Sequence, residues 1–141
     1  MARFKFRLAQ VARVKTIIEE QRKQEWALAN MQLMQAKAHL MDLENQRQES
    51  LEFGYRELGL AYRPLLHQYL QHMDMKIEFQ QEVVNEAAAH EHRAREIWIK
   101  ARQEKEMLER LREKKYQAFV YEQARKEQNQ LDDLKNNVPR I

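Results

Sequence analysis

Before Gly54 the chain contains no glycine and no proline, and from Leu65 to Val138 it again contains neither. Gly54, Gly59 and Pro64 fall together in the one short stretch that separates these two runs. Glycine and proline are the strongest punctuators of local structure, so their confinement predicts two long helices joined by a single turn. Two long helices with one reversal do not enclose a catalytic cleft, so the chain is expected not to be an enzyme.

The apolar spacing agrees with that outline. Leu8, Val11, Val14 and Ile18 follow one another at three- and four-residue steps, and Trp26, Ala29, Leu33, Ala36, Leu40 and Leu43 form a heptad seam. The jump between Ile18 and Trp26 predicts a stutter in the seam or a change of partner face. In the second helix the apolar positions run Leu66, Tyr69, Leu70, Met73 and Ile77, then Val83 or Val84, Ala87, Ala94, Ile97 and Ala101. They continue through Leu108, Leu111 and Ala118 to Tyr121. Acid–base pairs four apart (Glu19–Lys23, Glu91–Arg95, Glu96–Lys100, Glu106–Arg110, Glu122–Lys126) add only about 0.2–0.5 kcal/mol each, so they support helicity without deciding the fold.

The expected fold is therefore all-α: a long antiparallel two-helix coiled-coil hairpin with a C-terminal helical overhang. It is expected to be one domain over 1–141, with helix 1 at about 3–52, the turn at about 53–64 and helix 2 at about 65–136. At about 1.5 Å per residue the second helix outruns the first by roughly 30 Å. The overhang would carry Lys115 to Leu134, with Tyr116, Phe119, Val120, Tyr121, Leu131 and Leu134 more apolar than a solvated helix needs. Such a patch points to a partner.

Charge and cysteine content narrow the function. The net charge is +3, from 25 basic and 22 acidic residues, which gives little reason to expect nucleic acid as a ligand. The basic and aromatic run from Arg110 to Lys126 is interrupted by Glu113 and Glu122, so no basic stripe forms. With no cysteine, a disulfide framework or a thiolate metal site is impossible. His90 and His92 are two apart and His67 and His72 five apart, neither being the spacing that brings two imidazoles together on a helix. No cofactor, metal or small-molecule substrate is expected. No stretch approaches the roughly 20 apolar residues of a membrane span, and no secretory h-region follows the basic start. A cytoplasmic location is the expectation.

The first acid of the chain is Glu19, and Arg3, Lys5, Arg7, Arg13 and Lys15 precede it. This start reads as a bland helix face, a membrane-surface helix or an organellar transit peptide. A protein-binding basic tip is preferred over all three.

Three local patterns resemble one family. Phe4-x-Phe6-Arg7-Leu8-x-x-Val11, His67-Gln68-Tyr69-Leu70-x-x-Met73-x-x-x-Ile77, and Leu108-x-x-Leu111-Arg112-Glu113-Lys114-x-Tyr116 are similar in order and separation to the flagellar export protein family FliJ. So is Leu131-Asp132-Asp133. The resemblance implies a stalk and chaperone component of the bacterial flagellar type III export apparatus. Such a protein binds the hexameric export ATPase, promotes its ring assembly, couples it to the cytoplasmic domain of the export-gate membrane protein, and handles export chaperones. It implies a place peripheral to the inner face of the cell membrane at the flagellar base. ATPase-binding candidates are then Arg3, Phe4, Arg7, Leu8, Val11, Arg112, Tyr116, Phe119 and Val120. Gate-binding candidates are Tyr69, Met73 and Ile77. Here Leu66, His67 and Tyr69 replace the family's Tyr, Gln and Phe. An injectisome stalk, a generic homodimerising coiled coil and a membrane-surface basic helix are the alternatives.

Overall fold

The computed structural model describes residues 2–138. Helix α1 spans Ala9–Glu57 and helix α2 spans Arg63–Asn137, joined by a short 3-10 turn at Leu60–Tyr62. No strand occurs among the described residues. The two helices pack against each other as an all-α hairpin. The described residues fall into two compact units, 21–98 and 2–20 with 99–138.

The unit around the turn has the expected core. Ala29 (1% exposed), Leu33, Ala36 and Leu43 of α1 are buried, and so are Leu70 and Met73 of α2. Trp26 and Leu40 are half-buried on the same seam. Polar groups inside it are paired. The Gln80 side chain donates to the Ala36 carbonyl at 3.0 Å, and the Trp26 indole N–H donates to Glu91 Oε1 at 3.0 Å. Trp26 also stacks on Trp98, with centroids 5.1 Å apart and planes at 19°. Between the helices Arg47 pairs with Asp74 at 2.5 Å.

The other unit corrects the expected stutter. Burial along α1 steps by four and three from Leu8 through Ala12, Lys15, Glu19 and Arg22 to Trp26 without a break. Val11 and Val14, read as seam, are exposed. Charged side chains hold the seam positions here, and α2 answers them: Lys15 Nζ lies 2.9 Å from Glu104 Oε2, and Lys105 Nζ lies 3.9 Å from Glu19 Oε2. Glu19 therefore pairs across the helices, where a pair with Lys23 was expected. Of the other expected pairs, Glu91–Arg95 and Glu106–Arg110 form, whereas Glu96 meets His92 and Glu122 meets Arg125.

Both ends of α1 differ from expectation. Residues 2–6 are not helical, and the first turn closes where the Ala9 N–H donates to the Phe6 carbonyl. The alternation Arg3-Phe4-Lys5-Phe6-Arg7-Leu8 has period two, so an extended backbone gathers the rings on one side and the cations on the other. A helix would scatter them. At the far end Gly54 lies inside α1 and not in the turn, and no described glycine has positive φ. Gly54 is needed for space: a Cβ there would meet the Leu66 side chain, with Cδ1 at 2.8 Å and Cγ at 3.0 Å.

Candidate functional site

The non-helical N-terminal segment lies on α2. Phe4 meets Tyr116 edge to face with centroids 5.3 Å apart at 74°, and meets Phe119 at 5.5 Å. Phe4, Phe6 and Leu8 are half-buried, whereas Arg3, Lys5 and Arg7 are exposed. Burying one aromatic row fixes the strap, and the pleat then turns the cations to solvent. Two grooves flank it. One, of about 1020 Å³, reaches along α2 to Glu122, Gln123 and Lys126. The other, of about 930 Å³, is lined by Phe4, Phe6, Arg13 and Arg112 among others.

The unpartnered part of α2 is accordingly shorter than the sequence suggests. The strap covers it past Phe119, and every described residue from Ala124 onward is exposed, including Leu131 and Leu134. Lys115 is thus not where the overhang begins.

Electrostatics set this unit apart. Its described residues include 15 basic and 10 acidic, against 9 and 12 in the unit around the turn. Arg3, Lys5, Arg7, Arg13 and Arg112 have no ion-pair partner among the described residues. Nearby carboxylates are spoken for. Hydrogen bonding by Lys15, then its charge, holds Glu104 below the ordinary Glu range. Arg125 does the same to Glu122.

Of the ATPase-binding candidates the structure brings together Arg3, Phe4, Arg7, Leu8, Arg112, Tyr116 and Phe119. Val11 and Val120 are exposed but line neither groove. Lys5 and Phe6 line the same two grooves and were not among the candidates, although their alternation was the available signal. The gate-binding candidates do not form one surface. Met73 is 2% exposed, Ile77 is half-buried, and only Tyr69, at 45%, is well exposed. Residue 73 is core because it stands four and three residues from Ile77 and Leu70 on the seam. Among the described residues no group of three or more His, Asp or Glu could hold a metal ion, and no helix is long and apolar enough to cross a membrane.

Over residues 4–138 the sequence matches the family described as flagellar FliJ protein. The chain belongs to the FliJ family. Membership gives it a flagellar export-related role, in association with the export apparatus, within a non-catalytic family of structural and chaperone type. No curated protein and no solved structure matches the chain.

Proposed function

We propose that this FliJ family member is the stalk and chaperone component of flagellar type III export, working in the cytoplasm at the inner membrane face. It binds the hexameric export ATPase through its terminal unit, promotes ring assembly, and couples the ring to the export gate. The observation that carries this reading is the strap, where an aromatic cluster of Phe4, Tyr116 and Phe119 stands beside five cations that have no ion-pair partner among the described residues. Accessible aromatic rings with cations around them are what protein interfaces favour for affinity and fast encounter. The flagellar family match favours this apparatus over the injectisome.

The test is stimulation of the purified export ATPase. Arg3→Glu/Arg7→Glu/Arg13→Glu should lower stimulation while helicity by circular dichroism stays constant, because all three side chains are exposed. If stimulation survives that change and also survives deletion of residues 116–141, the terminal contact is wrong.

A further inference from the structure

The structure also carries an apolar cavity at the turn, away from every residue assigned above except Tyr69. It has a volume of about 510 Å³ and is walled by Phe53, Leu58, Tyr62, Leu65, Leu66 and Tyr69. The sequence explains why it is preformed. With no Cβ at Gly54, Leu66 seats against α1 there and the turn closes onto the helix. The neighbouring side chains ring the space without filling it. Phe53 stays 59% exposed and Leu65 70%. A cavity of this size accepts more than one large side chain of a partner, and aromatic walls give such anchors most of their binding energy.

Charge decides the occupant. Glu49 is the one charged residue of the lining, and neither it nor nearby Glu57 has an ion-pair partner among the described residues. The local cations are engaged: Arg56 lies 3.9 Å from Glu52, and the Arg63 guanidinium sits over the Tyr55 ring at 5.5 Å. A second copy meeting this face through the same face would set these carboxylates against their own equivalents. An anionic lipid surface would be repelled by them. A segment that pairs a large apolar residue with a flanking lysine or arginine satisfies both the cavity and Glu49.

We propose that this cavity is a docking pocket for an apolar anchor on a basic amphipathic segment of another protein. It shares Tyr69 with the proposed gate contact but does not rest on that contact or on ATPase binding.

The probe is a fluorescently labelled synthetic amphipathic peptide with a Leu/Trp face and lysine flanks, compared with its glutamate counterpart. Fluorescence anisotropy with the full chain should show the lysine peptide binding more tightly. Phe53→Asp/Leu65→Asp should weaken it by about thirtyfold or more, which is the loss of roughly one hot spot. That variant adds two negative charges, so non-specific attraction of a lysine peptide would rise rather than fall. Glu49→Lys should shift the preference to the glutamate peptide. Both variants should keep the wild-type melting temperature and wild-type ATPase stimulation, which separates this pocket from the terminal site. No binding of the lysine peptide, or equal binding by Phe53→Asp/Leu65→Asp, overturns the proposal. A wild-type dimer in sedimentation that this variant converts to monomer also overturns it, by assigning the face to a second copy.

Discussion

Phe4 packs edge to face with Tyr116, 112 residues away in sequence, with centroids 5.3 Å apart. No backbone hydrogen bond between residues 2–5 and α2 accompanies this contact. Side-chain packing therefore holds the strap, and Phe4 is its main fastener.

Truncating Phe4 should release the strap and leave the helices intact. Aromatic pairs are worth about 0.5–1.5 kcal/mol beyond their buried area, so Phe4→Ala should lower stability only modestly. The same change should expose residues 2–8 to limited proteolysis and reduce ATPase stimulation as far as loss of the cations does. Normal protection of the strap in Phe4→Ala would show that Phe6 and Leu8 hold it instead.

The second prediction separates two neighbouring gate candidates. Met73 is core and Tyr69 is surface, although they are one helical turn apart. Met73→Ala should cost about 2–5 kcal/mol, as large-to-small core changes do. Tyr69→Ala should leave the unfolding midpoint nearly unchanged and weaken binding to the cytoplasmic domain of the export gate. Unaltered gate binding by Tyr69→Ala, measured calorimetrically, would remove Tyr69 from that contact.

These residues also show how far the sequence could be read. The α1 seam from Trp26 to Leu43 was legible position by position, because apolar side chains occupy it without interruption. Upstream of Trp26 it was hidden, since Lys15, Glu19 and Arg22 stand where apolar residues were sought; α2 supplies partners to Lys15 and Glu19, and Arg22 pairs with Glu25 on its own helix. In α2 the seam takes Trp98 while its neighbour Ile97 is exposed, and hydropathy alone does not rank the two. Gly54 read as a turn residue because glycine usually serves backbone freedom, whereas here it serves the approach of Leu66. The strap was a matter of period. Six residues alternating by two were overruled by the long helix that follows them. The terminal cluster was therefore found through its cations, and the turn pocket was not found at all.

The last prediction concerns pH. Lys15 donates to Glu104 at 2.9 Å, and this hydrogen bond, followed by the Lys15 charge, lowers the Glu104 pKa in the folded chain. A carboxylate whose pKa falls on folding binds protons more readily in the unfolded state, so stability rises with pH across its titration. The contribution is complete above the unfolded value, about 4.3 for glutamate, and is lost as pH falls through the lower folded value. At neutral pH it is fully present. Lys15→Ala should bring the Glu104 titration, followed by carboxyl NMR, back up towards the ordinary range. The same change should make the acid limb of the unfolding midpoint less steep below about pH 4, in the window set by the glutamate reference value. Because both side chains are partly exposed, added salt should weaken the effect in the wild-type chain. An unchanged Glu104 titration in Lys15→Ala would mean that this pair does not tie α1 to α2 in solution.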